Sequence, residues 1–150
     1  MSHTITPNLW FDGNAKEAVD FYVSVFPNSK ILSTVRYPEE GLMDFQKDMA
    51  GKVLTVEYEL DGNRFTAINA GPEFKFNESV SFSIPCKDQA EIDYYWEKLS
   101  TVPESEQCGW CKDQFGLSWQ VVPENMEELM QRPNAYEHMM QMKKMVIADF

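Results

Sequence analysis

Apolar residues recur along this chain in two rhythms, and both rhythms occur twice. In ITPNLWF, residues 5–11, they alternate with a period of two, which predicts a half-buried strand. Ala18, Phe21, Tyr22 and Val25 follow, four, seven, eight and eleven positions past Asn14, and so share one helical face. Asn14-x-x-Glu17 has capping-box spacing with Asn14 as N-cap, and Pro27-Asn28 ends the helix. Further on by 74 residues, VSFSIPC leads into Asp88-x-x-Glu91, and Ile92, Tyr95, Trp96 and Leu99 take the same four offsets. This second helix fades at Ser100-Thr101, before Pro103. Two strand–cap–helix units half a chain apart predict an internal duplication.

Strand signals follow each helix. In the first half these are SKILSTVRY, KVLTVEYEL and RFTAINA, the last two joined by Asp61-Gly62-Asn63 as a hairpin. In the second half SEQCGWCKD and LSWQVVP are joined through Phe115-Gly116. The predicted order is β-α-β-β-β and then β-α-β-β, with room for one more short strand. Residues 38–51, PEEGLMDFQKDMAG, form a long polar connection of the kind used as lids or left disordered. GPEFKFNES, residues 71–79, links the halves and carries Phe74 and Phe76. From Glu124 the chain reads as helix, with Met126, Met130, Met139, Met142 and Met145 as a soft apolar face for its own domain or a partner subunit. The expected organisation is a pair of modules over 1–123, split as 1–72 and 73–123, and a helical tail over 124–150.

Composition narrows the function. The 150 residues are 43% hydrophobic, enough for a packed interior, with no run of about 20 apolar residues that would span a bilayer. The N-terminus, MSHTITPNLWF, lacks the basic and apolar regions of a signal peptide, so a cytoplasmic protein is expected. A net charge of −11 with no basic stripe disfavours nucleic acid, and an acidic chain disfavours a membrane surface. Cys86, Cys108 and Cys111 are an odd count without a disulfide framework. Cys108-Gly-Trp-Cys111 has C-x-x-C spacing, but it precedes a turn and strand rather than opening a helix, so two incidental thiols are favoured over a redox pair. His3 and His138 lie at opposite ends of the chain, which argues against a zinc site.

A twice-used β-α-β-β-β unit resembles the vicinal oxygen chelate superfamily of glyoxalase I, bleomycin-resistance and extradiol dioxygenase proteins. The stretches TPNLWFDGNAKEAVDFYVSVFPNSKI, GKVLTVEYELDG, GPEFKFNESVSF, DQAEIDYYWEKLS and CGWCKDQFGLSWQVVP resemble its PhnB-like branch, which carries the label 3-demethylubiquinone-9 3-methyltransferase. The resemblance implies an α+β fold. Two βαβββ modules would form a curved, cup-like mixed sheet with helices on the convex face and a ligand in the concavity. It also implies a homodimer. Alternation then places Ile5, Pro7, Leu9 and Phe11 toward the first helix and leaves Thr6, Asn8 and Trp10 for the cup. Val80, Phe82 and Ile84 face the second helix and leave Ser79, Ser81 and Ser83. Trp119 and Val121 pack outward and leave Ser118, Gln120 and Val122.

Metal-using members of the superfamily hold a divalent ion with His, Glu or Gln from four equivalent strand positions. Laid on this chain, the pattern reaches Thr6 or Asn8, then Asn69, then Ser79 or Ser81, and Gln120. Hydroxyls and amides are weak ligands for zinc, nickel or iron, so no metal and no other cofactor is expected. Gln120 is either an amide bonded to a neighbouring strand or one that lines the cup. The sequence favours a metal-independent small-molecule binding protein, with Thr6, Asn8, Trp10, Asn69, Ser79, Ser81 and Gln120 as contacts. The alternatives are an enzyme of the same superfamily (a lyase, isomerase or thiol transferase) with a divalent metal, in which Glu57 or Glu59 is the nearest base, and a structural dimer built on the Met-rich tail. No G-x-G loop follows a first parallel strand, so the methyltransferase label finds no support in these residues.

Overall fold

The computed structural model describes residues 3–150 and divides into two compact units, Met1–Lys75 and Phe76–Phe150. The first contains β1 (Asn8–Asp12), α1 (Ala15–Val25), β2 (Lys30–Arg36), β3 (Val53–Leu60) and β4 (Asn63–Ala70). Its sheet runs β1-β4-β3-β2, with β1 parallel to β4 and the other pairs antiparallel. Asp61 and Gly62 both adopt left-handed φ, 48° and 82°, which suits a two-residue turn to the twist of the β3–β4 hairpin.

Helix α1 packs on β3 and β4 through buried Ala15, Ala18, Val19, Tyr22 and Val25. These meet Leu9, Phe11, Val56, Tyr58, Leu60, Phe65 and Ala67 in the core. Val19 takes the place expected for Phe21, which is only half-buried. Ile5 precedes β1 and is 94% exposed, so the outward alternation begins only at Leu9. Asn14 stands at the N-cap but its side chain makes no capping bond. Instead Asn69 Oδ1, from β4, accepts from Ala15 N at 3.1 Å. Residues 38–51 contain a 3-10 helix, Asp44–Met49, and their ends are tied by Tyr37 N donating to Lys52 O and Gly51 N to Tyr37 O.

The second unit contains β5 (Ser81–Cys86), α2 (Gln89–Leu99), β6 (Trp110–Lys112), β7 (Ser118–Pro123), α3 (Met126–Leu129) and α4 (Ala135–Met140). The sheet order is β5-β7-β6, with β5 parallel to β7. Here the expected cap is real: Asp88 Oδ1 accepts from Glu91 N at 2.9 Å. Ile92, Tyr95 and Leu99 are buried, while Trp96 is half-buried. β5 starts at Ser81, so Val80 lies outside the ladder and is 60% exposed rather than turned toward α2.

The expected strand over SEQCGWCKD shrinks to three residues because Cys108-Gly109 forms a turn, with φ of 46° and 84°. Among the described residues no fourth strand joins this sheet. The outer side of β6 is met instead by Thr101 N donating to Lys112 O at 3.0 Å and Lys112 N donating to Ser105 Oγ at 3.1 Å. These bonds blunt an edge that would otherwise pair with another strand. The tail is not one helix. It breaks at Pro133-Asn134, where Asn134 is left-handed, and folds back on its own unit. Leu129, Ala135, Met142, Met145 and Phe150 form a small core there, flanked by Cys108, Val122, Met126, Met130 and Met139.

All three cysteines are free. Cys111 stands beside Trp119 on the sheet face that α2 covers and is 1% exposed, whereas Cys108 sits in the turn, so the C-x-x-C thiols do not converge. Burial pushes the Cys86 thiol up to about 12, aided by Glu91, Asp88 and Glu124, and burial beside Asp113 and Glu106 does the same for Cys111. Alkylation of the native protein at pH 8 is therefore expected to label Cys108 alone, and denaturation to expose two more thiols. Mass counting of adducts checks this, and a second native adduct would contradict it. Linkage sets the sign of a companion effect. Both thiols stay protonated in the fold between pH 9 and 12 while the unfolded chain loses those protons. Stability should fall across that window, and a Cys86→Ala/Cys111→Ala variant should lose this component.

Candidate functional site

Each sheet has one face packed on its helix and one turned away from it. On the second sheet the face away from α2 carries two cross-strand rows: Ser81, Ser118 and Lys112, then Ser83, Gln120 and Trp110. Gln120 Nε2 donates to Ser81 Oγ at 2.9 Å, and Gln120 is half-buried. No donor among the described residues reaches Gln120 Oε1. Ser118 is 1% exposed and its Oγ has no hydrogen-bond partner among the described residues. Lys112 bonds to Glu78, whose carboxyl it holds below the usual range. Neither Trp110 nor Lys112 is among the contacts expected from the sequence. Their alternation on a three-residue strand is too short to be read without its partner, β7.

Behind this face Asp113 organises the β6–β7 turn. It is 1% exposed. Oδ1 accepts from Phe115 N at 2.8 Å and Leu117 N at 3.1 Å, and Oδ2 accepts from Trp119 Nε1 at 2.8 Å. The two backbone bonds close the turn, and the indole bond fixes Trp119 against the core. That pins the strand on which Ser118 and Gln120 stand.

On the first sheet the face away from α1 carries the rows Trp10, Ile68, Thr55, Val35 and Asn8, Thr66, Glu57, Ser33. Trp10 Nε1 donates to Gly71 O at 2.9 Å, and its ring meets Phe74 edge-on at 4.8 Å. Asn8 is exposed and donates to Thr6 O at 3.0 Å, while Thr6 lies before the strand. Glu57 is exposed and accepts from Ser33 Oγ at 3.3 Å, on a central rather than an edge strand.

Asn69 is on the opposite side. It is 7% exposed, caps α1 through Oδ1, and donates from Nδ2 to Val53 O at 2.9 Å. Its carbonyl accepts from the Tyr37 hydroxyl at 2.7 Å. Burial, with Glu73 adding to it, raises the Tyr37 hydroxyl above its ordinary range, so it stays a donor at neutral pH. Ser79 is exposed before β5 and bonds locally to Asn77 through both N and Oγ. Thus the structure places Ser81 and Gln120 in direct contact and puts Asn8 and Trp10 on one face of the first sheet. Ser79 and Asn69 are engaged elsewhere.

The donor set does not fit a divalent metal. Hydroxyl and amide oxygens line the second face, and among the described residues no group of three or more His, Cys, Asp or Glu side chains could hold an ion. Such a face suits hydrogen bonding to a neutral or weakly charged polar molecule. No helix in the described residues is long and apolar enough to cross a membrane.

A family model described as 3-demethylubiquinone-9 3-methyltransferase matches residues 3–122. Among solved structures, the Bacillus cereus PhnB protein, which bears the same label, is 32% identical. The match covers 81% of this chain and 99% of that one, with a TM-score of 0.65. Protein PA1353 from Pseudomonas aeruginosa is 19% identical over 82% of this chain and 98% of its own, at a TM-score of 0.61. The fosfomycin resistance protein FosX from Listeria monocytogenes is 14% identical over 88% and 99%, at 0.53, a likeness of fold alone. A search of curated proteins finds no match. The matched segment runs through both βα units to the last residues of β7, and the chain belongs to the 3-demethylubiquinone-9 3-methyltransferase family, a PhnB-like branch of the vicinal oxygen chelate superfamily with the glyoxalase/bleomycin-resistance fold.

Proposed function

We propose that this protein is a metal-independent small-molecule binding protein whose polar ligand rests on the face of the second sheet turned away from α2. The observation that carries the reading is Gln120. Its Nε2 is held by Ser81 at 2.9 Å, which orients the amide and leaves Oε1 to accept from a ligand. Ser81, Ser83 and Trp110 supply the remaining polar and aromatic contacts on this face. Trp10 and Asn8 offer a second contact surface on the first sheet. Asn69 acts by positioning α1. The turn after β1, Asp12-Gly13-Asn14, has a single glycine, which fits poorly with a nucleotide-type cofactor loop and so with the methyltransferase label. The protein is taken to be a cytoplasmic homodimer.

Native mass spectrometry of untagged protein purified without chelators tests this. A dimer carrying an organic adduct and no divalent ion is the expected result. One zinc, nickel, iron or manganese ion per subunit would overturn it and move the enzyme reading forward. Gln120→Leu should remove the adduct at unchanged thermal stability, because it keeps the volume and deletes the amide. Glu57→Gln should leave the adduct in place. Loss of the adduct in the Glu57 variant instead would put the site on the first sheet.

A further inference from the structure

Two sulfur atoms from distant parts of the second unit meet beside the β6 turn. Cys108 Sγ donates to Met140 Sδ at 3.6 Å. Gln107 Nε2 lies 3.2 Å from Cys108 Sγ and also donates to Met140 O at 2.7 Å. The site is reachable: Cys108 is half-buried and Met140 is 42% exposed. None of these three residues is among the ligand contacts proposed above, so the site stands independently of that function.

We propose that Cys108 and Met140 form a binding site for a soft monovalent cation, Cu(I) being the biological representative. A thiolate and a thioether are the ligand types that select Cu(I) over zinc, magnesium or calcium. The present arrangement is already the protonated form of such a bridge, with the thiol hydrogen lying between the two sulfurs. Binding replaces that hydrogen. The Cys108 S–H bond breaks, its proton goes to solvent, and one lone pair from each sulfur bonds the metal, with no change in oxidation state.

The scaffold is prepared for the exchange. Cys108 N donates to Met142 O and Gly109 N to Lys143 O, each at 2.8 Å, so the turn is fastened to the segment that carries Met140. A side chain at Gly109 would meet Val121 O at 2.8 Å, so this approach requires glycine there. After binding, the Gln107 amide donates to the thiolate and steadies its charge. With the ~2.3 Å of a zinc–sulfur bond as an upper measure, a linear bridge needs the sulfurs up to about 4.6 Å apart. Met140 must therefore swing outward by up to roughly 1 Å, which an unbranched, partly exposed thioether can do. The other two thiols do not compete, because both are buried and held protonated.

The test is an anaerobic titration of the full chain with Cu(I) against a competing chelator such as bicinchoninate, read also by native mass spectrometry. One Cu(I) per chain, with the loss of one proton, is expected. Cys108→Ser should abolish binding. Gln107→Leu should weaken it roughly tenfold, and Met140→Leu by more. Met43→Leu, which removes another exposed thioether, should change nothing, and a Cys86→Ala/Cys111→Ala variant that keeps its circular dichroism should bind as before. Wild-type affinity in Met140→Leu would reduce the site to one adventitious thiol and overturn the proposal. So would retention of binding in Cys108→Ser, or no binding at all.

Discussion

Asp113→Ala is expected to destabilise the fold by roughly 3–5 kcal/mol, the largest single-residue effect anticipated outside the apolar core. The carboxyl accepts three bonds in a site that is 1% exposed. Alanine removes the carboxyl acceptor of two backbone N–H groups and one indole N–H, each loss costing about 1–3 kcal/mol if water cannot replace it. A fall of about 6–20 °C in Tm follows for a chain of this size. Asp113→Asn keeps an acceptor for the two backbone groups and should fall between alanine and wild type. Urea unfolding followed by tryptophan fluorescence measures both. A loss under about 1 kcal/mol for Asp113→Ala would mean that the turn closes without its carboxyl.

Asn69→Ala is expected to cost about 2–3 kcal/mol, from one helix cap and one buried amide–carbonyl bond. Ala15 N would lose its acceptor and Val53 O its donor. Asn69→Asp separates the two contributions. Its carboxylate can still cap α1, where the helix dipole favours negative charge, but it cannot donate to Val53 O. Stability between alanine and wild type is expected. Ligand retention should match wild type in both variants once measured well below their melting temperatures. An Asn69 variant that folds normally but loses the adduct seen by native mass spectrometry would return Asn69 to the ligand contacts.

The candidate site was legible in the sequence to an uneven degree. Gln120 stood out because it interrupts an apolar strand at an alternate position, and the structure puts it on the face away from α2. Which strand it bonds to was settled only by the parallel β5–β7 register, which sets Ser83 opposite Gln120 and Ser81 one step diagonal. Asn69 had the right strand and the wrong face. Alternation along RFTAINA puts Asn69 with Phe65 and Ala67, on the buried side. Asp113 gave no periodic signal because it sits in a turn, where a lone acidic residue ordinarily faces water.

The sequence by itself determined the element types, both helical faces in outline, the Asp61-Gly62 hairpin and the Asp88 cap. Periodicity, turn chemistry and capping act over a few neighbouring residues, so they survive without knowledge of the rest of the chain. Only the tertiary structure decided what meets across distance. The cap of α1 comes from 54 residues away, and the Cys108–Met140 pair spans 32. The tail's helical pattern gave way to two short helices because burying its methionines on its own unit required the chain to turn at Pro133-Asn134. Packing selects such pairings by the shape and polarity left over once the local elements have formed, and no local rule carries that information.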